Sequence, residues 1–148
     1  MSLDHTPVTR ALEAYAAAVR AKDVDAFADI YADDVHVFDA WGRWEHVAIA
    51  AWRAMATEWF GSLGTELVDV TFAEVRSSIG SDVAFASAAV TYAATSAAGE
   101  SLRSMTNRIT VGLERTDGAW KVVHEHTSLP IDLASGRGPF DLGASTPA

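Results

Sequence analysis

There is no cysteine among the 148 residues, so neither a disulfide nor a thiolate-bound metal can belong to this protein. Positive charge is scarce: 11 Lys and Arg stand against 20 Asp and Glu, a formal charge of −9. Nucleic acid and anionic membrane both need a cationic face, and neither is expected as a partner. No apolar run reaches the roughly 18 residues that span a bilayer. The opening MSLDHTPVTR has no apolar core of a secretion signal, so a cytoplasmic location is expected. Repeats and low-complexity blocks are missing too. A chain of 148 residues fits one domain. That domain is expected over 1–148, with its core at 8–130 and an irregular tail at 131–148, where glycine and proline recur.

What is present falls into two periods. Thr6 can cap a helix with Pro7 in its first turn, and Val8, Leu12, Tyr15 and Val19 then form one apolar stripe. Asp23 caps a short second helix with the stripe Val24, Phe27, Ile30 and Tyr31. VHVFD (35–39) reads as a strand ending at Asp39. A third helix is expected from Glu45 to Phe60, with Ala48, Trp52, Met55 and Trp59 on one face and Gly61 as its stop. From residue 65 the period becomes 2. Val68, Val70 and Phe72 alternate and then slip phase to Val75, which predicts a bulge. Strands follow at 82–96 and 102–115, then a TDG turn and a last strand from Ala119. This order makes an α+β domain, three helices packed on one face of an antiparallel sheet. The other face would be half-apolar in a monomer, so a homodimer through it is expected.

Three groups of residues carry candidate chemistry. In the last strand, WKVVHEHTS, alternation sets Trp120, Val122, His124, His126 and Ser128 on one face. Lys121, Val123, Glu125 and Thr127 take the other. His124 and His126 could bind one metal at their roughly 6.5–7 Å spacing. A third ligand is lacking in the neighbouring hairpin strand, which offers Arg108 and Thr110 instead. A polar, hydrogen-bonded patch is the preferred reading, without a metal. The second group is Tyr15 with Asp39: a carboxylate among apolar groups has a raised pKa and can move protons, and a phenol can donate to an oxyanion. A rim tyrosine and a strand-end cap are the ordinary alternatives. The third group is aromatic. Trp41 and Trp44 can wall a pocket mouth, while Trp52 and Trp59 leave room for a small apolar ligand beneath the third helix.

The segment YAAAVRAKDVDAFADIYADDVHVFDAWG resembles the opening of the nuclear transport factor 2-like superfamily, and ERTDGAWKVVHEHTSLP is similar to its SnoaL-like branch and to calcium/calmodulin-dependent kinase association domains. The resemblance covers residues 8–130 and implies a cone-shaped α+β fold with a pocket between helices and a curved sheet. EAYAAAV…IYADDVHVFDAWG resembles steroid Δ-isomerase without a gap, which puts Tyr15 on that family's oxyanion-hole tyrosine and Asp39 on its general base. The family's second oxyanion donor, an aspartic acid, has no counterpart; Thr110 or Val111 stands there. Thr127 stands where the association domains carry a pocket arginine.

The resemblance therefore implies a pocket face of Asn107, Val111, Val123, Glu125 and Thr127 on the last strands, besides Tyr15 and Asp39; Trp41, Trp52 and Tyr92 are expected to complete the pocket, and His124, His126, Arg108 and Thr110 the dimer face. The expected activity is proton transfer next to a carbonyl (isomerase, cyclase or dehydratase type), which needs neither metal nor organic cofactor. The alternative is a non-catalytic ligand-binding or oligomerisation domain.

Overall fold

The structure is a computed structural model and describes residues 6–139. Helix α1 (Pro7–Ala21) starts where Thr6 accepts a hydrogen bond from the Thr9 amide and ends at Lys22 in the left-handed region. It buries Val8, Leu12, Tyr15, Ala18 and Val19. Helix α2 (Val24–Asp29) begins at Asp23, whose carboxylate accepts from the Ala26 amide. Strand β1 (Tyr31–Phe38) starts four residues earlier than expected, so Tyr31 is a strand residue and not the end of the α2 stripe. A two-residue strand, β2 (His46–Val47), precedes α3 (Ala48–Ser62). That helix runs through Gly61, and Gly64, at φ 59°, turns the chain instead. Gly61 has no positive φ, so it sits inside the helix at a small propensity cost rather than ending it.

Four long strands complete the chain: β3 (Leu67–Ile79), β4 (Val83–Thr95), β5 (Ser101–Thr116) and β6 (Ala119–Ser128). The phase slip expected near Val75 is a bulge: the β3–β4 register shifts between Ala73 and Arg76, and Glu74 takes φ 53°. Asp117 and Gly118, both at positive φ, form the tight turn between β5 and β6. One six-stranded sheet results, in the order β2-β1-β6-β5-β4-β3. The α+β arrangement is as expected, with helices against one face of a curved sheet. It is a mixed sheet, since four strand pairs are antiparallel and β1 runs parallel to β6.

A second irregularity lies in β6. Gly112 pairs with His124 but Leu113 pairs with Val122, so Val123 is the extra residue of a bulge. The strict alternation expected for this strand therefore fails at Val123. Val122 is buried and Trp120 packs on the core, both on the helix side with Glu125 and Thr127. Val123, expected on the pocket face, lines a separate surface concavity. His124, His126 and Ser128 keep the outer face.

The core is aromatic at its centre. Phe27 has no solvent exposure and meets Tyr31, Tyr15, Phe60 and Trp52 at ring centroid distances of 5.3, 5.5, 5.7 and 5.9 Å. Such pairs add about 0.5–1.5 kcal/mol each beyond area burial. Facing them, β4 offers Ala84, Ala86, Val90 and Ala94, small side chains that leave space above the sheet. Residues 129–139 form neither helix nor strand; the rest of the expected irregular tail lies outside the described residues. Among the described residues no helix is long and apolar enough to cross a membrane.

Candidate active site

Rings too wide to close down on an alanine-lined sheet leave a cavity of about 500 Å³ between α1, α3 and the sheet, within the usual range for small-molecule sites. Tyr15 comes from α1, Trp52 from α3, Asp39 and Trp41 from the connection after β1, and Tyr92, Asn107, Glu125 and Thr127 from β4, β5 and β6. These eight residues, expected in the pocket from the sequence, line this one cavity, whereas Val111 and Val123, expected on the same face, do not. Trp44 does not; it is 86% exposed in the same connection, which runs over the surface at that point.

The polar groups inside form three stations. Tyr15 and Tyr92 share a hydrogen bond of 2.9 Å between their hydroxyls. One hydroxyl donates and the other accepts, so one O–H remains available to a ligand. Burial, reinforced by the neighbouring carboxyl groups, pushes both phenols above their ordinary range, so they stay protonated donors.

The second station is Asp39. The Thr127 hydroxyl donates to its Oδ1 at 3.0 Å and in turn accepts from the Ala40 amide at 2.8 Å. Burial raises the Asp39 pKa above its ordinary 3.8; the Thr127 hydroxyl, the charge of His46 and the amides of Ala40 and Trp41 oppose the rise without cancelling it.

The third station is deeper. Glu125 is 3% exposed and accepts a hydrogen bond from the Tyr31 hydroxyl at 2.6 Å. Burial lifts its pKa to about 7, the Tyr31 bond lowers it, and the charge of Asp39 adds to the rise. Asn107, also 3% exposed, keeps a buried Oδ1 with no hydrogen-bond partner among the described residues. An unpaired buried amide oxygen costs about 1–3 kcal/mol and is a natural contact for a ligand.

Two contributors have no signal of their own in the sequence. Tyr31 continues a helical stripe by its spacing, and only the parallel β1–β6 pairing sets it beside Glu125. His46 stands in a connection without periodicity; it is buried against Trp52 at 5.0 Å and lines the cavity. On the outer face, Arg108, Thr110 and His126 are exposed and His124 is half-buried. A further histidine does lie next to them. His36 on β1 pairs with His124, their rings stack at 5.3 Å, and His124 Nδ1 donates to the His36 carbonyl at 2.7 Å. The hairpin neighbour of β6 is visible in the sequence, whereas this parallel neighbour is not. His36 Nε2 is in turn engaged by Glu45 at 2.7 Å, and Phe38 stands against both His124 and His126. These partners make the histidines a packed polar patch.

The family described as "SnoaL-like domain" matches residues 8–132. Among solved structures, an NTF2-like protein of unknown function from Pseudomonas putida KT2440 is 28% identical, with 91% of this chain and 92% of that one covered and a TM-score of 0.79. Aln2 from a Streptomyces species is 18% identical over 86% and 92% of the two chains, at a TM-score of 0.73. An NTF2-like protein with a cystatin-like fold from Novosphingobium aromaticivorans is 16% identical over 90% and 86%, at 0.72. Among proteins with curated descriptions, none matches the chain.

Proposed function

The chain belongs to the SnoaL-like domain family of the nuclear transport factor 2-like superfamily, and from that premise we propose that its cavity binds a small, largely apolar carbonyl compound and moves a proton next to the carbonyl. Asp39 is the base. Tyr15, with its partner Tyr92, donates to the oxygen on which charge develops, and Asn107 and Glu125 make the auxiliary polar contacts. Trp41 and Trp52 wall the apolar part of the ligand.

One observation carries the reading: a carboxyl with raised pKa and a spare phenolic O–H open into the same aromatic cavity. A cap carboxylate with ordinary partners would have a normal or lowered pKa. The chemistry is balanced within the site. The C–H electron pair becomes part of the enolate, the proton goes to the Asp39 carboxylate, and the charge arriving on oxygen meets a fixed donor that need not reorganise.

The outer face of the sheet is proposed to pair with a second copy of the chain. Phe85 is 56% exposed there, beside small and polar residues of β4 and β5 and the histidine patch.

Naphthalene and 2-naphthol test the reading, because the hydroxyl of the second occupies the place of an enolate oxygen. Calorimetric titration should find 2-naphthol at least about tenfold tighter than naphthalene, and Tyr15→Phe should reduce that difference. Equal affinity for both, in wild type and variant, would mean that the tyrosine pair does not donate to the ligand and would contradict the reading.

A further inference from the structure

The proposed proton transfer uses Asp39 and the tyrosine pair and gives the most deeply buried carboxyl of the cavity, Glu125, no more than an auxiliary contact. Glu125 lines the same cavity as Asp39, yet its Oε1 is held by Tyr31, a residue that does not line it. The other carboxyl oxygen, Oε2, has no hydrogen-bond partner among the described residues. A side chain aimed at a cavity, gripped from behind through one oxygen and free at the other, is oriented for a ligand. The charge of an ionised Asp39 also favours the protonated form of Glu125.

We propose that Glu125, oriented by the Tyr31 hydroxyl, is the second proton-transferring group of the site and works as the acid partner of Asp39. The inference rests on the reading of the cavity as a proton-transfer site and deepens it. The ionised Asp39 takes a proton from carbon next to the carbonyl, and the C–H pair enters the enolate. The Glu125 carboxylic acid gives its proton to a second atom of the same molecule, whose electron pair forms the new bond. One proton has left the ligand and one has arrived; Asp39 ends protonated and Glu125 ionised, and exchange with water restores both. A substrate for such a site offers two reacting positions, as an unconjugated enone does at its α- and γ-carbons. Tyr31 is a positioning residue, since it reaches the reaction only through Glu125.

The groups facing Glu125 are Asp39, Tyr31, Tyr15 and Tyr92. Arg43, His46 and Glu58 are the other charged or titratable residues of the lining. All three phenols stay neutral through the neutral range, because burial raises each of them. The acid form of Glu125 is present below about pH 7 and lost above it.

Cyclohex-3-en-1-one in deuterium oxide separates the two steps. Exchange of its α-protons reads Asp39, and conversion to the conjugated enone, followed by its ultraviolet absorbance, reads both groups. Glu125→Gln keeps the shape and the acceptor for Tyr31. It should lower the ratio of conversion to exchange by about 10²-fold. In wild type that ratio should fall as pH rises through about 7. Tyr31→Phe removes a donor that favours the ionised carboxylate, so it should move this fall to higher pH. If Glu125→Gln leaves the ratio unchanged while wild type exchanges α-protons, the role of Glu125 is refuted and that of Asp39 stands. If wild type exchanges no α-proton, the proton-transfer reading fails and this inference with it.

Discussion

Replacing Glu125 with glutamine should change how stability depends on pH, whatever the ligand turns out to be. The carboxyl is carried from its ordinary 4.5 to about 7 in the folded state, chiefly by burial. Each pKa unit corresponds to about 1.36 kcal/mol, so the cost of ionising it inside the fold is about 3 kcal/mol. The folded pKa is raised, so the contribution of Glu125 is fully present below pH 4.5 and is lost as pH rises through about 7. Glutamine has no proton to lose. The stability difference, variant minus wild type, should therefore grow by about 3 kcal/mol between about pH 4.5 and 8. For a chain of this length that is roughly 6–12 °C in Tm at the alkaline end. Asp39 shifts in the same direction and is present in both proteins, so the difference reads Glu125 together with its interaction with Asp39. Urea unfolding followed by tryptophan fluorescence at several pH values measures it. Parallel pH profiles for the two proteins would refute the burial argument for Glu125.

Other outcomes follow from the same contacts. Tyr15→Phe strands the Tyr92 hydroxyl in a buried place, so it should cost about 1–3 kcal/mol by urea unfolding. The double variant with Tyr92→Phe should cost less than the sum of the two singles. Sedimentation at micromolar concentration should give twice the mass of one chain. Thr110→Asp, which sets like charges across a two-fold contact, should return the monomer. A wild-type monomer at that concentration would contradict the sheet-face dimer.

Much of the arrangement is legible in the sequence because its signals are local. Thr6 and Asp23 announce their helices through cap chemistry, and the slip from Phe72 to Val75 announces the β3 bulge. Tyr15, Asp39, Asn107 and Glu125 can be named because a resemblance and a strand period set them towards one space. What stays hidden depends on pairing between distant segments. The Val123 bulge leaves no mark in WKVVHEHTS, since valine follows valine, and yet it decides that Val122 and Glu125 share a face. The parallel β1–β6 pair joins segments that lie 88 to 94 residues apart along the chain; it alone brings Tyr31 to Glu125 and His36 to His124. Gly61 reads as a stop because glycine usually ends helices, but α3 continues past it to Ser62, and the turn with positive φ falls on Gly64.

The most direct test of the central claim is proton exchange itself. Wild-type protein is incubated in deuterium oxide with a panel of steroid, quinone and polyketide-like ketones, and deuterium uptake next to the carbonyl is followed by mass spectrometry. The account predicts protein-dependent uptake into at least one ketone, reduced by about 10²–10⁴-fold in Asp39→Asn, which keeps the shape of the side chain and removes the base. Uptake by none of them, or equal uptake in wild type and Asp39→Asn, would contradict it.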